Sequence, residues 1–308
     1  MDETLIGAVY PAVRGLLLAT LLLLGGTALA TVLAGRAGAD RQVSGPVIRG
    51  WLNRLPGLLA WFLLTLSLGR GALQVRAFHD PGAPIDPELA RAVLGTGSWG
   101  AGWMVQTLGA FALLGLTWLL REHAAWRTRA VVLFTIAFLV AQAGMGHGAD
   151  ALWQPVIVGR LVHLAHLLGA TIWLGTLAIL ALAVFPSLTS ASDRPVLGHL
   201  LEQFSVLARL GAALLLVSGV VATFRYTASL GDLLTTGWGQ LLLVKVGLFV
   251  AVGATGWWNW KVVTPRLTHD PETPVSALRR AVTVELLLGA AVLAATALLV
   301  AGALPVDG

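Results

Sequence analysis

Eight apolar runs divide the chain, at 13–33, 55–75, 101–120, 130–149, 158–180, 204–224, 240–260 and 282–301. Each is close to the ~20 residues a helix needs to cross a bilayer. Few folds are open to such a chain. Lipid offers backbone groups no hydrogen-bond partner, so each run must satisfy its own N–H and C=O groups, and runs of this length do so as helices. The reading is an all-α polytopic membrane protein, an eight-transmembrane-helix bundle. Composition agrees, with 57% of residues hydrophobic and 11% charged, against roughly 25% charged in a soluble domain. The 36 glycines suit a bundle in which helix backbones approach closely. The first run is long enough for a retained span rather than the core of a cleaved signal.

Loop charges orient the bundle. Thirteen Arg and Lys residues, Arg209 among them, are assigned to the loops after the odd-numbered runs, and five to the opposite side. The positive-inside rule then places the first set in the cytoplasm and both termini outside. The net charge of +5 is spread through these loops, so it reports topology and not a nucleic-acid partner. The third run opens with Thr96-Gly-Ser-Trp99-Gly100 and the seventh with Thr236-Gly-Trp238-Gly239. Arg14 and Arg160 mark the first and fifth runs at a loosely similar offset. These echoes point to a four-plus-four internal duplication with halves at 1–150 and 151–308.

The chemistry is concentrated in the fifth run. His163 and His166 are three residues apart and share a helix face, separated by about 4.5 Å of rise. A Trp-x-Gly step, Trp173 to Gly175, follows. The fourth run closes with Met145-Gly-His147-Gly-Ala-Asp150. A short loop makes the fourth and fifth helices neighbours and brings His147 near the pair. The chain has no cysteine, which removes disulfides, thiolate metal sites and iron–sulfur clusters. Histidine with methionine suits Cu(I), and imidazoles alone suit Cu(II). His147, His163, His166 and Met145 are therefore the candidate metal ligands, with Met104 in the third run a further thioether.

Two other readings of the histidines stay open. They can hydrogen-bond across helices as packing glue, or serve as axial ligands of haem b in an electron-transfer protein. Asp150 is either an acceptor that orients a histidine or a solvated loop charge. Lys245 either snorkels or is a buried cation paired with Asp232 or Asp150. Glu285 either pairs with Arg279 and Arg280 at the interface or serves as a carboxylate ligand at a cytoplasmic exit. No phosphate-binding loop, His-Glu-x-x-His motif or nucleophile elbow is present, so no enzyme is expected.

The stretches His166–Gly175, Gln203–Ala208, Leu216–Val221, Gly239–Leu248 and Asn259–Pro265, with Glu285 in the last run, resemble the copper resistance D (CopD) family of bacterial inner-membrane proteins. The resemblance covers about residues 146–301, while the first half fits in span number and in its Trp99-Gly100 step. It implies an eight-span inner-membrane protein that handles copper at the periplasmic side and moves it across the membrane; a rival reading is a subunit that delivers copper to a periplasmic enzyme without transport. It also implies a CopC-like periplasmic copper carrier, expected here as a separate chain. His147 and His166 fall at the family's histidine positions, and His163 is added by spacing. Gln240 and the Trp260-Lys261 pair depart from the family's usual arginines.

Overall fold

The computed structural model describes residues 3–79, 86–145, 155–227, 229, 231–269 and 275–301. Every regular element among them is helical, and eight helices are long and apolar enough to cross a membrane. These are α1 (Val9–Ala37), α2 (Gly45–Ala77), α3 (Gly97–Leu119), α4 (Ala124–Gly144), α5 (Val156–Ser187), α6 (Arg194–Arg225), α7 (Gly237–Leu267) and α8 (Val275–Leu299). The end at which α1, α3, α5 and α7 begin is called the upper end below.

Most helices outrun their apolar runs. Arg49 and Arg54 lie inside α2 and Arg127 and Arg129 inside α4, where hydropathy had assigned loops, and Arg209, counted among the loop charges, lies midway along α6. Long cationic side chains carry a helix past the apolar stretch because their stems pack while their heads reach polar surroundings. Arg209 does neither at a helix end. Its guanidinium lies over the Trp260 ring, 4.3 Å from the centroid, a contact that stabilises a cation away from water.

Two helices hold the centre. In α1 and α5, 61% of the most apolar window is buried, against 39% or less in every other span. Helices apolar on all sides belong inside a bundle. They cross where Gly25 and Gly26 of α1 meet Thr171 and Gly175 of α5. A Cβ on Gly26 would overlap the Gly175 carbonyl, and one on Gly175 would overlap the Leu22 carbonyl. The backbones therefore touch directly, which only glycine permits. At that crossing α5 widens into a π-turn, Thr171–Gly175, and does so again at Leu180–Val184.

The other helices pack around this seam. α2 lies on α1, α3 on α2 and α4, and α4 on α1 and α5. On the other side α6 lies on α5, α7 on α8, and α8 on α1. One apolar core joins Leu17, Leu21 and Leu24 to Leu63, Leu113 and Phe138. A second joins Leu180, Val184 and Phe185 to Leu197, Leu200 and Leu278. Thr96 and Thr236 hold similar extended caps before α3 and α7, each behind a short helix, Pro87–Gly95 and Asp232–Thr235. The two sides differ in one respect. α2 and α3 pack along their length, whereas α6 meets α7 mainly through the segment Thr264–His269.

Candidate functional site

The upper third of α5 presents His163 and His166 on one side, both partly buried. His166 is anchored. Its Nδ1 lies 3.0 Å from Ser218 Oγ on α6, and that hydroxyl lies 2.5 Å from the Leu214 carbonyl one turn earlier. A hydroxyl has a single proton to give, and here it goes to the carbonyl. Ser218 Oγ therefore accepts from His166 Nδ1–H. With Nδ1 as the donor, the Nε2 lone pair is left for a ligand, the arrangement a metal-ligating imidazole uses. Gly219 lies alongside, and a Cβ there would come 3.9 Å from His166 Cε1.

Two cations face the pair. Arg14 of α1 and Lys245 of α7 act on His163, and Lys245 and His163 act on His166. Asp232, one partner expected for Lys245, accepts from the backbone N–H (2.9 Å) and hydroxyl (2.8 Å) of Ser229.

The remaining expected ligands fall elsewhere. His147 and Asp150 lie outside the described residues. Met145 is buried against Gly102, where a Cβ would come 2.8 Å from its sulfur. Its Sδ is 3.8 Å from Arg70 Nη1. It belongs to a polar cluster of α2, α3 and α4. In this cluster Arg70 donates to Gln142 Oε1 (3.2 Å), Gln106 donates to the same oxygen (3.0 Å), and Arg70 stacks 5.6 Å from the Trp99 centroid. Arg70, Gln106 and Gln142 are 1%, 0% and 4% exposed. Met104 is 37% exposed and lies about 200° around α3 from both Gly102 and Gln106, away from the buried face. Among the described residues no group of three or more His, Asp or Glu side chains is placed to hold a metal ion.

Glu285 does not pair with Arg279 or Arg280. Arg279 donates to the Pro186 carbonyl at 3.4 Å. The Glu285 carboxylate is buried and accepts from Trp173 Nε1–H at 3.0 Å and Asn259 Nδ2–H at 2.9 Å. Trp173 also meets Phe249 edge to face, with centroids 5.9 Å apart. The sequence reading had not singled out Arg70, Ser218 or Asn259 as site residues. An arginine followed by more apolar helix was the available signal for Arg70, while Ser218 and Asn259 carry no such mark.

A central helix that carries a hydrogen-bonded imidazole, inside an eight-helix bundle, defines a polytopic membrane protein with polar side chains held within its spans. The family comparison makes this specific. Residues 1–154 match the model for the copper resistance protein D-like N-terminal domain, and residues 198–299 match that for copper resistance protein D. The chain belongs to the copper resistance protein D family. It is 31% identical over 176 residues to the copper transport protein CutJ of Bacillus subtilis, covering 55% of this chain and 31% of that protein. The chain thus spans under a third of that relative. It is 27% identical over 213 residues to the inner membrane protein YebZ of Escherichia coli, covering 69% of this chain and 71% of that one. No solved structure matches it significantly.

Proposed function

We propose that this protein takes up copper from the periplasmic side, at the upper end, and holds it on α5 through His166 and His163, with His147, expected from the sequence, as a further ligand. The observation that carries this reading is the 3.0 Å contact of His166 Nδ1 with Ser218 Oγ, itself 2.5 Å from the Leu214 carbonyl, which supports an imidazole whose Nε2 is available to a metal. Family membership supplies the metal, and a relative named as a copper transport protein supports movement of it. Imidazole replaces the ion's water as it leaves the aqueous phase, a substitution without which a cation inside the bundle is prohibitively costly. The upper end then faces the periplasm, an orientation the loop charges support, with both termini outside and the bundle in the inner membrane. A separate CopC-like carrier is the proposed donor. Met145, taken up by Gly102 and Arg70, is a packing residue in this reading.

The test is copper content and visible absorption of detergent-purified protein, wild type beside His166→Ala and His147→Ala. Near-stoichiometric copper in wild type, lost in both variants and with no Soret band, is the expected result. A Soret band would move the reading to haem. Copper absent from wild type after loading would leave the histidines as packing residues. Flux into proteoliposomes then separates a transporter from a protein that only delivers copper.

A further inference from the structure

Glu285 offers a chemistry the copper reading does not use. It is 3% exposed, and each carboxylate oxygen is engaged by a neutral donor from a different helix. Both donors sit in π-turns, Trp173 in Thr171–Gly175 of α5 and Asn259 in Asn259–Val263 of α7. Such turns are rare and collect at functional sites. Here two of them aim at one acid. Gly256 covers it closely, since a Cβ there would come 3.2 Å from Oε1.

No cation compensates this carboxylate among the described residues. On α7, Lys261 lies 4.0 Å from the Trp260 ring centroid, Arg266 is exposed, and Lys245 stands about 21 Å up the helix from Asn259. On α8, Arg279 reaches the Pro186 carbonyl and Arg280 is exposed. On α5, His166, the titratable group nearest Trp173, is about 10 Å up the axis from it. On α1, Arg14 faces Arg70 and His163, and Arg36 is exposed at the lower end. On α6, Arg209 is taken by Trp260. An ionised carboxylate with no counter-charge is costly in such a place, and the counter-charge that fits a filled site is a proton.

The two donors suit both states of the acid. An indole N–H only donates, and Oε1 can accept it whether or not the acid is protonated. An asparagine side chain has both an NH₂ and a carbonyl. Its NH₂ serves the carboxylate, and turned by about 180° its Oδ1 accepts the O–H of the acid. We propose that Glu285 is a reversible proton-binding site whose two states are read by the Asn259 amide. A hydronium ion gives up its proton to Oε2 and is left as water, and the Nδ2–H···O contact is replaced by O–H···Oδ1. Trp173 shares α5 with His166, so the proton and copper sites are coupled through that helix. This coupling, unlike the proton site itself, rests on the copper reading above.

Infrared difference spectra of copper-free protein in nanodiscs, taken across a pH series, test the proton site directly. The expected result is a carboxylic-acid C=O band that comes and goes reversibly in wild type, is absent from Glu285→Gln, and moves to higher frequency in Asn259→Leu. No titrating band that distinguishes wild type from Glu285→Gln would overturn the site. A band unmoved in Asn259→Leu would overturn the amide switch. Should Glu285→Gln fail to fold, the Asn259→Leu band, with Glu285 intact, carries the test. Copper titrations at two pH values complete it. A pH dependence lost in Glu285→Gln supports the coupling, and one equal in both proteins overturns it while leaving the infrared result to stand.

Discussion

At the same level of the bundle the two halves hold polar residues in opposite ways. In the first half Arg70, Gln106, Gln142 and Met145 are enclosed by α2, α3 and α4, and nearly every contact is between them. In the second half His163, His166 and Lys245 are only partly buried, and α6 and α7 diverge above Thr264–His269. A closed polar cluster stabilises and specifies packing. An open one keeps a lone pair available to a ligand. The difference teaches that the number of polar residues inside a membrane does not locate a site. How far they are enclosed separates the two clusters, even though Arg70 Nε and Gln106 Oε1 in the closed one lack a partner.

That contrast can be broken in steps of decreasing size. Arg70→Ala removes the hub of the closed cluster and is expected to cost about 3 kcal/mol of stability, read as a lowered melting point in detergent, with copper content per folded molecule unchanged. An equal loss of copper would mean that the first half binds metal too. Ser218→Ala acts on the open half in the opposite sense. Stability falls by about 1 kcal/mol, while copper affinity falls roughly 10- to 100-fold as His166 loses its tautomer and orientation. Competition against a copper chelator measures it, and an unchanged affinity would detach Ser218 from the site.

Lys245→Gln removes a positive charge that faces both imidazoles. Copper affinity is expected to rise about fivefold, the effect of roughly 1 kcal/mol of repulsion relieved. A fall in affinity would make Lys245 part of the binding site instead. Met145→Leu is the smallest change. A near-isosteric swap costs less than about 1.5 kcal/mol and should leave copper binding where it was. A marked loss of copper would return the Met145 thioether to the ligand set.

The helices were legible in the sequence because span length is imposed by the bilayer and apolar runs record it. Their ends were less so, since Arg49, Arg127 and Arg209 look like loop residues until the helix is seen to carry them. The pairing of His163 with His166 was legible because three residues on a helix is a local fact. The Glu285 triad was not. Its members lie 112 and 26 residues apart along the chain, and they meet only because two helices are locally wound as π-turns. Periodicity of hydrophobicity holds no trace of that winding. Arg279 and Arg280, close in sequence to Glu285, suggested a local ion pair where tertiary packing supplied distant neutral donors.

The glycine seam between α1 and α5 has a mechanical consequence. Helices that interlock through long side chains must lift ridges out of grooves before they can move past each other. At Gly26 and Gly175 backbone rests on backbone, while Gly25 lies against the side chains of Thr171 and Thr135. Such a joint resists separation but offers little friction to rotation, so it is a pivot. Any rotation of α5 against α1 would turn about this contact. Gly26→Leu would jam the pivot by forcing the two backbones apart, and a copper flux that survived it would show that the axle lies elsewhere.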